Sequence, residues 1–401
     1  MKLVADYVFP IVGEPIKNGY VELNEDGVIV AIGEFVLKTK EAKSTTSDIE
    51  FYHGILVPGF VNSHCHVELS HLKGAFLQGT GMDGFIKQIN ESRLSVDYDG
   101  RIAAMSAEFD SLYSQGVSAM ADISNCDESF DIKSKSNIYT RTFLEVFGTE
   151  PKDAPAVIDD VLKLQKKASD YGIDAAPTPH SCYTMSPELN RMAAYEGLKS
   201  GFISYHNQES DQEEDMIKYG TGALAEDYKE RGASTPPVTG KSALIYFLDN
   251  LQKICKAPIA GNVLLIHNVV TDQESIDYAK LILKNIFWTV CPLSNMFIHR
   301  ALPPLDLLRN NNLLICLGTD SLSSNMVLSM VEEIKCIQLN YPHIRLQEIL
   351  EWACINGAKA LGKEKIFGSF EPGKKPGVVL IENVDLNNMK LTAKSKSRRL
   401  I

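Results

Sequence analysis

The sequence predicts an α/β protein: a (β/α)8 TIM-like barrel with a small β-sandwich domain built from both chain ends. Two observations carry this. From Val61 onward, eight apolar, β-rich runs alternate with longer helical-looking stretches: VNSHCHV, VSAMADIS, RTFLEVFG, DAAPTPHSC, FISYHNQE, VLLIHNV, IFWTVCPLSN and LLICLGTD. Near-continuous hydrophobicity suits strands buried on both faces of a parallel sheet, and eight βα units suffice to close a barrel. Before these runs, residues 1–58 hold short β-rich segments (GYVELN, GVIVAIGEF) parted by Gly, Pro and Asn, and GSFEPGKKPGVVLIENV after them has the same character. The chain therefore divides into a composite β-domain, residues 1–58 and 365–401, and a barrel over residues 59–364. The tail AKSKSRRLI, with Lys394, Lys396, Arg398 and Arg399, reads as a solvated, frayed terminus.

Composition narrows the function classes. The chain has 401 residues, 44% hydrophobic and 23% charged, which excludes a disordered or fibrous protein. No apolar run approaches the ~18 residues of a membrane span, and MKLVADYVFPIVGEP lacks a signal-peptide pattern, so a cytoplasmic protein without a membrane partner is expected. Lys plus Arg number 40 against 51 Asp plus Glu, a net charge of −11 that argues against nucleic acid as a partner. The eight cysteines are scattered with no C-x-x-C and read as buried thiols.

The ends of the runs carry the chemistry, since in such a barrel they converge on one mouth. The first ends in His64-Cys65-His66, and the period-2 geometry of a strand points both imidazoles to one side. The pair suits zinc, iron, copper or nickel, or stands as two satisfied polar histidines. The fourth run supplies His180, the fifth His206 followed by Glu209, the sixth His267 and the eighth Asp320. Each alone has an ordinary explanation as a hydrogen-bonded residue. Five ligand-bearing ends out of eight point to a shared metal, because buried ionisable groups need partners. Gly79, Gly81 and Gly84 satisfy G-x-G-x-x-G literally, but no strand leads directly into them, and they read as a flexible loop at the mouth with Asp83 exposed.

VPGFVNSHCHVELSHLKG, PHSCYTMSPEL, SYHNQESDQEE, LLIHNV, CPLSN, LGTDSLSSN and INGAKALG with GSFEPGKKPG, in that order, resemble the amidohydrolase superfamily. The likeness is to its mononuclear aminohydrolases, which deaminate adenosine-like nucleosides, guanine and related heterocycles. The resemblance implies His64, His66, His206 and Asp320 as metal ligands, with Glu209, His267 and Asp320 handling protons. The implied cofactor is one divalent ion, Zn2+ or else Fe2+, whose bound water attacks the ring. Two-metal relatives carry a carboxylated lysine at the end of the fourth strand, where this chain has His180. Glu68 and His180 are the implied substrate-binding residues. Glu68 completes an H-x-H-x-E pattern similar to that of aminodeoxyfutalosine deaminases, and its other reading is a partner that orients a ligand histidine. The implied activity is hydrolytic deamination of an amino-substituted purine, nucleoside or related N-heterocycle. The alternatives are hydrolysis of a cyclic amide, imidazolone or chloro-triazine at the same site, or a non-catalytic metal-binding relative. A small heterocyclic substrate is the expected partner, and a homodimer the family expectation. Leu293 in CPLSN and Asn207-Gln208 depart from the family pattern in ways that bear on substrate; Pro376-Gly377, in GKKPG, depart from it within the β-domain.

Overall fold

The computed structural model describes residues 1–36 and 49–401; residues 37–48 of the expected amino-terminal β-region lie outside the described residues. The first strands are β1 (Lys2–Val8), β2 (Ile16–Leu23), β3 (Ile29–Glu34) and β4 (Ile49–Pro58). Then come the eight runs: β5 (Phe60–Cys65), β6 (Val117–Ser124), β7 (Tyr139–Val146), β8 (Asp174–Pro179), β9 (Phe202–Asn207), β10 (Ile259–His267), β11 (Leu283–Val290) and β12 (Leu314–Leu317). β13 (Val378–Asp385) and β14 (Lys390–Arg399) close the chain.

β5 to β8 and β9 to β12 form two four-stranded parallel sheets in chain order, with helices between the strands. Every residue of β6 is buried, as a strand covered on both faces requires. The two sheets are joined at both seams. At one, His206 donates its backbone N–H to the His180 carbonyl and Ser204 donates to the Thr178 hydroxyl, both at 2.9 Å. At the other, the N–H groups of Thr319 and Asp320 both donate to the His64 carbonyl at 3.0 Å. The seams therefore run through the residues singled out in the sequence.

Among the described residues, the strands from the chain ends hydrogen-bond in the order β14-β13-β4-β1-β2-β3, so the expected sandwich is there one six-stranded mixed sheet. Its apolar face buries Leu3, Val8, Val21, Leu56, Phe370 and Leu380. Only Gly59 separates β4 from β5, and a Cβ there would overlap the Ser118 hydroxyl and the Pro376 carbonyl, so only glycine fits this junction.

Two expectations are corrected. The basic tail is not frayed: β14 pairs with β13, and Arg399 turns inward to donate to the carbonyls of Tyr113 and Val117 at 2.9 Å. Its Lys and Arg residues occupy an edge strand, where charge protects the open backbone. The glycine-rich stretch is not a loop throughout, because a helix begins at Gly81 and runs to Ser92. Met82, Phe85, Ile86 and Ile89 recur on one face of it, a periodicity the glycines obscure. Asp83 accepts from the Gln212 side chain at 2.8 Å. All eight cysteines are free, and six of them are buried.

Candidate metal centre and active site

β5 ends at Cys65, so His64 lies on the strand and His66 at the start of the 3-10 turn that follows, Val67–Leu72. The Nε2 atoms of His66 and His64 are 3.2 Å apart, and those of His66 and His206 3.4 Å. Asp320, just beyond β12, brings Oδ1 to 3.6 Å from His64 Nε2 and 3.7 Å from His66 Nε2. Burial first, and then the neighbouring imidazoles, hold His64 and His206 well below the usual histidine range. Burial lowers His66 too, against the pull of Asp320. Neutral rings converge their lone pairs, which repel unless one cation accepts them all. His64, His66 and His206, with ligand atoms within 4.8 Å of one another, have the donor type and spacing for a metal ion.

Beside this cluster stand Glu209 and His267. Glu209 Oε2 lies 3.6 Å from His267 Nε2, and Oε1 lies 3.4 Å from His299 Nε2. Burial would raise the Glu209 pKa, but His267, His299 and His180 together bring it below the usual carboxylate value. One helix, Pro292–His299, addresses three of these residues. Ser294 Oγ donates to Asp320 Oδ2 at 2.6 Å, Asn295 Nδ2 to His267 Nδ1 at 3.0 Å, and His299 faces Glu209. Asp320 and His267 both sit in the left-handed backbone region, φ 56° and 74°, uncommon for residues with side chains and characteristic of functional sites.

A cavity of about 420 Å³ opens onto the cluster, lined at its floor by His66, His180, His206, Glu209, His267 and Asp320. Met82, Phe85, Ile86 and Ile89 of the Gly81–Ser92 helix supply an apolar wall, joined by Tyr183 and Tyr228. His180 stacks on His206 with ring centroids 4.4 Å apart, and its Nδ1 meets the hydroxyls of Ser181 and Thr184 at 2.8 Å. Burial pushes His180 down to about 3, keeping it neutral.

Glu68 does not line the cavity. Its carboxylate accepts the Asn125 backbone N–H at 2.9 Å and faces the Ser129 hydroxyl at 3.3 Å. The strand stops at Cys65, so the alternation that aligned Glu68 with the histidines does not extend to it. Near it lies a buried ion pair, Lys133 Nζ to Asp122 Oδ2 at 2.6 Å, and Asp122 Oδ1 accepts the Val67 N–H at 3.0 Å. Leu293, Asn207 and Gln208 also lie off the cavity lining; Asn207 and Gln208 bond to Asn268 and to Glu214 and Thr271.

Sequence reading missed Glu145 and His299. Glu145, at the end of β7, places Oε1 3.3 Å from His206 Nδ1, and burial pushes its pKa up to about 8. Its one sequence signal is a carboxylate within the otherwise apolar FLEVF, at a position inside the strand. His299 follows CPLSN by four residues and carries no strand-end signal.

A parallel barrel whose mouth gathers histidines and a carboxylate from β5, β9, β10 and the segment after β12 defines a class of metal-dependent hydrolases. Residues 55–398 match the amidohydrolase family, and the chain belongs to it. Among its relatives is the aminodeoxyfutalosine deaminase of a Nitratiruptor species, 27% identical over 339 residues, 82% of this chain and 79% of that protein. Among solved structures, Helicobacter pylori aminofutalosine deaminase in complex with methylthio-coformycin superposes with a TM-score of 0.79 at 21% identity, over the whole of both chains. An adenosine deaminase from Xanthomonas campestris, with bound zinc, gives 0.70 at 18% identity over 96% of this chain and 85% of that one.

Proposed function

We propose that this protein is a metal-dependent hydrolytic deaminase of an adenine-type purine nucleoside, exchanging the ring amino group for oxygen and releasing ammonia. The observation that carries the reading is the convergence of Glu209 and His267 on the His64, His66, His206 and Asp320 cluster at the floor of one cavity. The imidazole and carboxylate donors suit one divalent ion, zinc first and Fe2+ by the same donor chemistry, held by His64, His66, His206 and Asp320. Such an ion, when bound, supplies a water acidified enough to attack at neutral pH.

The chain's own groups then divide the proton work. Asp320 Oδ1 faces the metal histidines, while Oδ2 is held by Ser294 and by Ser324 at 2.7 Å, so Oδ1 is the oxygen placed to take the proton of the attacking water. Glu209, ionised at rest, takes up one proton of the attacking water and delivers it to the ring nitrogen beside the amino-bearing carbon, which makes that carbon electrophilic. The water's other proton, held by Asp320, passes to the departing amine, which leaves as ammonia. His267, with Nδ1 occupied by the Asn295 amide, carries its hydrogen on Nε2 and donates it toward the developing oxyanion. The apolar wall excludes water and receives the faces of the base and its sugar substituent.

The relatives' names and the cavity size support nucleosides over free small rings. The test is ammonia release by the zinc-loaded protein from adenosine, thioether adenosines, aminodeoxyfutalosine, guanine, cytosine and triazines. Turnover of at least one adenine nucleoside, abolished by chelation and restored by zinc, is the expected result. Ring-opened products, which gain the mass of water without losing ammonia, or inactivity on the whole panel, would refute it.

A further inference from the structure

Of the three groups that the Pro292–His299 helix addresses, two are held by neutral neighbours: Ser294 on Asp320 and Asn295 on His267. The third neighbour is an imidazole. His299, half-buried with its side chain 8% exposed, contacts Glu209 from the carboxyl end of that helix and is not part of the cavity lining. The helix itself is anchored, since Glu333 accepts the Leu293 N–H at 2.9 Å, and Phe297 and Ile298 pack with Leu72 and Phe76. His299 therefore stands on a rigid support.

The two oxygens of Glu209 are not equivalent. Oε1 lies within hydrogen-bonding distance of His299 Nε2, at 3.4 Å, whereas Oε2 is 3.6 Å from His267 and has no hydrogen-bond partner among the described residues. A carboxylate has only acceptors, so His299 must present Nε2–H to it. With Oε1 engaged from behind, the other oxygen is left to carry the mobile proton on the cavity side.

We propose that His299 is a positioning residue that fixes the rotamer of Glu209 and commits Oε2, and not Oε1, to proton transfer. This rests on the deaminase reading for its kinetic consequence, though not for its geometry. Glutamate has three rotatable bonds, and a general acid displaced by about 1 Å loses on the order of a hundredfold in rate. Holding one oxygen removes that freedom without occupying the other.

The test uses the zinc-loaded full chain and the best substrate of the panel. His299→Ala should lower kcat about tenfold to a hundredfold, with KM changed less than about threefold and zinc content and Tm unchanged. His299→Gln, whose amide can still donate, should recover to within about threefold of the wild type. In a Glu209→Ala background, His299→Ala should cost less than about twofold, because a residue acting through Glu209 has nothing left to position. Equal losses in both backgrounds, no advantage of Gln over Ala, or loss of zinc with rate would overturn the proposal. A wild type inactive on every substrate would refute the deaminase reading alone, and infrared spectroscopy then decides. The carboxylate band identified by its absence in Glu209→Gln should shift in His299→Ala, and an unmoved band overturns the proposal.

Discussion

The two halves of the barrel mouth aim their side chains by different means. In the half built from β5 to β8, His66 and the turn after it are tied down by buried charge: Asp122 accepts the Val67 N–H and is neutralised by Lys133, while Glu68 clasps Asn125 and Ser129. In the half built from β9 to β12, Gln208, His267, Asn268 and Asp320 adopt left-handed backbone conformations. Asn268 is held there by neutral groups, its Nδ2 donating to the carbonyls of Leu265 and Thr289 at 2.8 and 3.0 Å. The half carrying the first two histidines relies on long-range attraction. The half carrying Glu209, His267 and Asp320 uses local backbone geometry.

The largest effect that would test this contrast is on rate. Glu209→Gln keeps the shape of the β9 half but removes the acid, and should lower kcat about a hundred- to ten-thousandfold while zinc content, read by metal analysis, stays at one per chain. Lost zinc would mean that the acid also belongs to the metal-holding machinery. Next comes the charged half. Lys133→Met strands Asp122 in an apolar setting and should destabilise the fold by about 3–5 kcal/mol in denaturant unfolding, with weakened zinc retention. An unchanged midpoint would show that the buried pair does not organise that side.

The smallest effect concerns a carboxylate beside Glu209 on the second half. Glu213 accepts the Glu209 N–H at 2.7 Å, and burial, followed by Glu214, pushes its pKa up to about 8. A folded-state pKa above the unfolded value of 4.5 means that the folded chain holds the proton more tightly. That stability is fully present below pH 4.5 and is lost as pH rises through about 8. Glu213→Gln, which keeps an acceptor for the Glu209 N–H, should flatten the decline between these limits by a few kcal/mol at most, read from unfolding midpoints across pH. A parallel decline in both proteins would remove Glu213 as its source.

What the sequence disclosed follows from these two means of support. His64, His66, His206, His267 and Asp320 stand at strand ends, where an apolar run breaks into a polar residue, and such breaks are visible in one dimension. Glu145 lies inside its run and reads as part of the strand. His299 and Lys133 reach the site from helices, across contacts 90 residues apart in one case and 11 in the other, which no local pattern encodes. The placement of Glu68 was not legible for a geometric reason, since counting by twos holds only while the strand lasts, and the strand ends at Cys65. The Gly81–Ser92 helix was hidden because glycine signals loops more strongly than its four apolar positions signal a helix.

The six-stranded sheet has a consequence for synthesis. β4 receives its partner β13 from a segment some 320 residues later, Pro58 lying opposite Val378. While a ribosome makes the barrel, one edge of β4 stays open, one residue from the strand that carries His64. An open strand edge invites pairing with other chains, so nascent copies on one message are at greatest risk of sticking to each other just before the last β-hairpin emerges. The lysines and arginines of that hairpin then give the finished sheet a charged rim.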